Sequence, residues 1–226
     1  TNAGAAVSTE VVRVEPTIEA AAVPKPANKE AVVPAPKMTS AKNYSLRSAG
    51  VRGNLGEPLS FLRSCSPIEI LTGQSCEDVK ISKNFAPLLM DFLPICVGNA
   101  IKTQSNGRSI KKIRIQNAGT HSPRRTKATG KWSLHSTGRA IDISAIDVQL
   151  SDGKWIRTPM TIGSRKKSFY QSFNQCWENK MRGYLREINS KCSGYKGIID
   201  CKDKYHHDHI HLSLPFCPRK SWYSTW

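Results

Sequence analysis

Ser-Leu-His-Ser-Thr-Gly-Arg-Ala-Ile-Asp, residues 133–142, runs directly into Ile-Ser-Ala-Ile-Asp-Val-Gln-Leu, residues 143–150. Polar, chemistry-bearing side chains are thus delivered into an apolar alternation. The pattern predicts a loop that carries His135, turns at Gly138 and enters a strand that carries Asp142. Towards the other end of the chain, His206-His207-Asp208-His209-Ile210-His211 precedes Leu212 and Leu214. A spacing of two places the imidazoles of His209 and His211 on one side of an extended strand. Four of the six histidines lie in 206–211 and a fifth is His135, so two separate clusters of ligand-type residues answer each other. A lone histidine is more often a satisfied polar side chain than a ligand. The combination predicts zinc, with three protein ligands drawn from His, His and Asp and a fourth position left to water, as in catalytic sites.

The flanking segments supply the scaffold. Residues 84–102 are apolar at Leu88, Leu89, Phe92, Ile95, Cys96 and Ala100, which predicts a core-facing helix kinked or started by Pro94. Ile110 to Gln116 alternates as a strand, and a polar loop over 117–131 leads to His135. Residues 141–158 predict a hairpin turning at Ser151-Asp-Gly-Lys154. From Lys167 to Ile188 the aromatic and apolar stripe of Phe169, Phe173, Cys176, Trp177, Met181, Tyr184, Leu185 and Ile188 predicts a second helix, with its aromatics in the core. The last strand is expected over 209–214. Helices and strands in mixed order, without βαβ repetition, predict an α+β domain: a small antiparallel sheet carrying the site, packed against helices and stapled by disulfides.

Seven cysteines, at 65, 76, 96, 176, 192, 201 and 217, form no Cys-x-x-Cys pair and point to disulfides, hence to a periplasmic or secreted protein. Cys65 with Cys76, or Cys192 with Cys201, would close short loops, and the odd seventh must stay free or pair elsewhere. Residues 1–43 are rich in Ala, Val, Pro, Glu and Lys with no aromatic residue, and Pro24, Pro26, Pro34 and Pro36 would break any helix. Residues 1–50 are therefore expected to be a flexible tether and 51–226 the folded domain. No stretch reads as the roughly 20 apolar residues of a spanning helix. Export then implies a signal removed before Thr1, with a lipid anchor one way to use such a tether. The net charge is +17, and residues 1–50 carry only six basic residues against four glutamates, so the domain itself is strongly basic. Such a domain seeks a polyanion. No nucleic-acid fold motif accompanies the charge, which disfavours a nuclease or nucleic-acid binder.

The pattern Ser133-x-His135-x-x-Gly138-x-Ala140-x-Asp142, with Asp208-His209-x-His211 far downstream, resembles the zinc peptidases that group lysostaphin-type enzymes, D-Ala-D-Ala carboxypeptidases and hedgehog domains. It is more closely similar to the bacterial extensin-like C-terminal domain family. The similarity includes the turn Leu150-Ser-Asp-Gly153, the helix end Tyr184-Leu-Arg-Glu-Ile-Asn-Ser-Lys-Cys192 and, upstream, Cys65-Ser-Pro and the Pro87-to-Cys96 helix. It covers about residues 60–217. Ile210 stands where an aromatic is common, and the arginine expected upstream of the first histidine corresponds to Arg124 or Arg125. The string also resembles the end of penicillin-insensitive murein endopeptidases, which precedes a Cys-Pro like Cys217-Pro218. The resemblance implies zinc held by His135, Asp142 and His211, with amide hydrolysis in peptidoglycan stems or crosslinks as the activity. His209 is the first candidate for the base, Asp208 its rival, and His206 an assistant. Arg124 and Ser133 are candidate substrate-binding residues, and Ser133 is with Arg139 also a candidate for shaping the loop. A non-catalytic zinc-bearing wall-binding domain is the alternative that the hedgehog likeness implies.

Overall fold

The computed structural model describes residues 44–126, 130–188 and 190–216. The reading of residues 1–43 as a tether, and that of Cys217-Pro218, lie outside them. Two sheets and two helices form an α+β fold. Strands β1 (Ser45–Arg52), β2 (Pro58–Arg63) and β5 (Val79–Ser82) make a small antiparallel sheet in the order β1-β2-β5. β1 begins six residues before the expected domain boundary at 51. Between β2 and β5 lie β3 (Ile68–Thr72) and the two-residue β4 (Ser75–Cys76). These join β6 (Ile110–Gly119), β7 (Ala140–Leu150), β8 (Trp155–Pro159), β9 (Ile198–Ile199) and β10 (Ile210–Ser213) in a seven-stranded sheet. Its order is β4-β3-β6-β7-β10-β9, with β8 also paired to β7. All its pairs are antiparallel except β3 with β6, which is parallel.

The helices are α1 (Phe85–Ser105) and α2 (Ser168–Glu187). Of the two positions expected for Pro94 the structure has it inside α1 and not at its start, and, against expectation, Ile95 is exposed to solvent. Phe85, Leu89, Leu93, Cys96, Val97 and Ile101 are among the side chains α1 buries, while α2 buries Phe169, Tyr170, Phe173, Trp177, Met181 and Leu185. Phe92 meets Trp177 edge-on at 5.9 Å, and Cys96 is bonded to Cys176, so the two helices are joined by both packing and covalency. Ile113, Ile115, Ile141, Ile143, Ile146, Val148, Leu150, Ile210 and Leu212 complete the core from the sheet. α1 is also long and apolar enough to cross a membrane, which the sequence reading did not recognise, although 56 % of its most apolar window is buried.

Cys65 is bonded to Cys76, as one of the short-loop options anticipated. Cys192 does not close a loop with Cys201. Cys192 is disulfide-bonded, whereas Cys201 is a buried free thiol in contact with the Tyr170 hydroxyl.

Candidate metal centre

Alternation fixes which way the site faces. Ile141 and Ile143 of β7 enter the core, so Asp142 between them points to the opposite face of the sheet. An irregularity at Gln116/Asn117 in the pairing with β6 takes up Ser144 as an extra residue, and Ile146 and Val148 return to the core side. On one flank Asp142 is in register with His211 of β10, and on the other with Gly119 of β6. Gly119 approaches the carboxylate closely enough that a Cβ there would stand in ordinary contact with Asp142 Oδ2, at 3.8 Å.

His135 arrives from a tight loop. The bridge between Arg125 and Trp132 closes a hairpin, and Ser133 N–H donates to Arg124 O at 3.2 Å at its base. Ser133 Oγ accepts from His135 N–H at 3.3 Å and so caps the 3-10 turn Leu134–Thr137. Gly138 ends that turn at φ +67°, and a Cβ there would lie 2.6 Å from Leu59 Cδ2 and 2.7 Å from Ser82 N. Only glycine satisfies both the backbone and the space. His135 Nδ1 donates to Thr120 O at 2.5 Å, which leaves its Nε2 as the free lone pair.

The three expected ligands converge. His135 Nε2 is 3.1 Å from His211 Nδ1 and 3.1–3.2 Å from the Asp142 carboxylate, and His211 Nδ1 is 2.9 Å from Asp142 Oδ1. All three residues are buried. A tetrahedral ion with bonds of 2.0–2.1 Å would separate neighbouring donor atoms by about 3.3 Å. The observed spacing is close to that, and the set of two imidazoles and one carboxylate could hold a metal ion. Burial pushes the Asp142 carboxyl up, but hydrogen bonds with His135 and His211 outweigh it and hold the group well below the usual carboxylate range. Burial also depresses the His211 imidazole against the pull of Asp142, favouring the neutral form that a metal needs.

Two further imidazoles border the cluster. His209 immediately precedes β10 rather than lying within it, yet its Nε2 comes 3.5 Å from Asp142 Oδ1. Its Nδ1 bonds to Asp208 Oδ1 at 2.6 Å. The Asp208 side chain is 71 % exposed and turned onto His209, not inward. The His206 ring lies 5.0 Å from that of His209 and 5.4 Å from that of His211, and its Nδ1 bonds to Asp203 Oδ1 at 2.7 Å. Arg124 is the arginine at the site, with Nη2 3.8 Å from Asp142 Oδ2 and most of its side chain in solvent. Arg125 instead lies over the Trp132 ring at 4.4 Å. His207 stands apart with its ring nitrogen on Lys204 O.

The sequence reading passed over three participants. The Thr120 carbonyl carries no side-chain signal. Asp203 was legible as the acid of an Asp-x-x-His pair with His206. His121 is the sixth histidine; burial, then Lys80, then His135 lower its pKa, which places it in the electrostatic surroundings of the cluster.

The sequence model described as the extensin-like protein C-terminus matches residues 96–221, more than half of the chain and all three ligand-type residues. No curated protein and no solved structure matches the chain.

Proposed function

This chain belongs to the extensin-like protein C-terminus family, and from that membership and its buried His135–Asp142–His211 cluster we propose that it is a zinc-dependent peptidase acting on peptidoglycan. The bond cut is an amide of a peptide stem or crosslink. The reading extends to the wider group of lysostaphin-type and D-Ala-D-Ala peptidases through the Ser133-to-Asp142 element and the Asp208-to-His211 string. The observation that carries it is the convergence of three buried donor atoms beside two imidazoles that carboxylates orient.

His135, Asp142 and His211 would hold a zinc ion, which would supply Lewis acidity towards an amide carbonyl and lower the pKa of a water at the site. The residues around it have separable tasks. Asp208 takes the Nδ1–H of His209, so His209 Nε2 faces the site as a proton acceptor. His209 is therefore the base, and Asp208 orients it rather than replacing it. Asp203 orients His206 in the same way, and His206 assists next to His211. Arg124, charged and largely exposed beside Asp142, anchors a substrate carboxylate. Ser133 and Gly138 shape the loop that aims His135.

The basic surface suits a wall polymer whose stems carry free carboxylates. Disulfides at Cys65–Cys76 and Cys96–Cys176 suit the periplasm or the cell exterior.

The test is elemental analysis of protein purified without chelator, alongside His135→Ala and His211→Ala, followed by muropeptide profiling of digested sacculi. About one zinc per chain, lost in both variants, together with new muropeptides, is the expected result. Zinc without products would redirect the reading to a wall-binding domain. Absence of metal would overturn the central claim.

A further inference from the structure

The ligand-bearing strands are tied to a buried ion pair whose acidic member lies outside the matched region 96–221. Arg139 stands between His135 and Asp142. Its Nη2 donates to Glu57 Oε2 at 2.9 Å, with side chains only 11 % and 4 % exposed. Its Nη1 donates to Pro215 O at 2.8 Å, four residues after His211, and its own carbonyl accepts from Leu214 N–H at 2.9 Å. One guanidinium thus grips the start of β7 and the end of β10 together. Glu57 is itself held: Oε1 accepts from Ser82 Oγ and, at 3.0 Å, from Asn84 Nδ2. Ser82 N–H also donates to Gly138 O at 2.7 Å, and Gly53 lies so near the loop that a Cβ would come 2.9 Å from Ser136 O.

The small sheet β1-β2-β5 and its connections therefore brace the His135 loop from beneath, through a charge pair and not only through apolar contact. A buried pair is a costly way to add stability, because desolvation consumes most of its attraction, and apolar replacements are often as stable. What the fork of an arginine adds is direction: two bonds at fixed angles to two different segments.

We propose that Glu57 and Arg139 are positioning residues for the metal centre, setting the separation of the His135 loop from the His211 strand and hence the affinity for the ion. The inference rests on the metal-binding reading above. Outer groups that orient ligands typically change metal affinity 10–100-fold. Because Arg139 acts through the backbone and not on a ligand side chain, a loss of about tenfold, the low end of that range, is expected.

The experiment compares wild type, Arg139→Lys and the double variant Glu57→Met with Arg139→Met, each stripped with chelator. Zinc affinity is measured by competition with a chromophoric chelator, thermal unfolding of the metal-free proteins is followed in parallel, and the visible absorption of the cobalt-loaded proteins is recorded. The double variant is expected to keep a similar metal-free Tm, bind zinc about tenfold more weakly and show altered cobalt bands. Arg139→Lys keeps the charge but cannot span Glu57 and Pro215 O with a fork, so it should also bind more weakly. A merely structural pair would lower Tm and leave affinity and cobalt spectrum of the folded protein unchanged, which would overturn the proposal. Wild type and variants binding zinc equally would overturn it while sparing the metal-binding reading. No binding by wild type would overturn both.

Discussion

His209 and His211 differ by two positions and by one hydrogen bond, and in the proposed peptidase that bond would separate their tasks. His211 lies within β10, buried opposite Asp142, while His209 sits at the lip with its Nδ1 committed to Asp208. A base has to be reached by substrate and water; a ligand has to be shielded from them. His209→Ala is therefore expected to retain zinc and lose about 10²- to 10⁴-fold in kcat. Asp208→Asn should show a smaller loss, since the imidazole persists but its tautomer is less firmly held. Steady-state kinetics on a defined muropeptide, with zinc content measured on the same samples, checks both. Loss of zinc in His209→Ala would make His209 a ligand. At this scale the sequence was clear about residue types and silent about partners: Thr120 contributes only a carbonyl, and nothing in its identity announces it.

Among the elements, β6 and β7 form the spine that aligns the site, and β3 secures the far side of β6. That parallel pair is clipped by Glu69, which bonds Lys112 Nζ at 2.7 Å and Arg114 Nε at 2.6 Å. Burial raises the Glu69 carboxyl, and the two cationic donors more than reverse it, so its pKa is lowered in the folded protein. A depressed carboxyl contributes stability that is present above its unfolded pKa and is lost as pH falls through the folded one. Wild type should accordingly be more stable than Glu69→Gln at neutral pH. The advantage should shrink below the ordinary carboxylate range and disappear in stronger acid. Urea unfolding of both proteins at a series of pH values measures the gap, and a gap independent of pH would assign the effect to packing. β3, β4 and the small sheet were not read from the sequence. The alternations Ile68-Glu-Ile and Val79-Lys-Ile are only three residues long, too short to separate strand from loop without the partners they pair with.

Across the whole molecule, the Cys96–Cys176 bond joins α1 to α2 over a separation of 80 residues. Closing a loop of that length restricts the unfolded chain by about 4.5 kcal/mol at 25 °C in the chain-entropy account. Replacing both cysteines by alanine is expected to cost about 3–5 kcal/mol, read from the shift of the urea midpoint at unchanged m. Cys201, the free thiol among the described cysteines, should leave that value unaffected because it closes no loop. Trp177, Phe169 and Phe173 share one core cluster with Ile141, Ile143, Ile210 and Leu212, and the His135–Asp142–His211 cluster lies on the other side of those strands. The apolar core and the candidate metal site are in this way separated onto opposite sides of the same strands.

The amino-acid sequence by itself determined the two helices, the longer strands and the donor types, because each depends on neighbours a few positions away. Helical spacing is written into Phe169, Phe173 and Trp177. Alternation is written into Ile141 and Ile143, and the turn at Gly153 into its flanking Asp and Lys. The same local logic picked out His135, Asp142 and the His209–His211 pair as candidate donors, and the family resemblance chose His211 between the two. Tertiary structure alone decided how those three meet, since the register of β10 on β7 sets His211 against Asp142 across 69 positions of sequence. It also decided that Cys192 avoids Cys201, that Asp208 faces His209, and that Glu57 reaches Arg139 across 82 positions. Each of these depends on which distant surfaces exclude water together, and a chain cannot express that in any short window of its own residues.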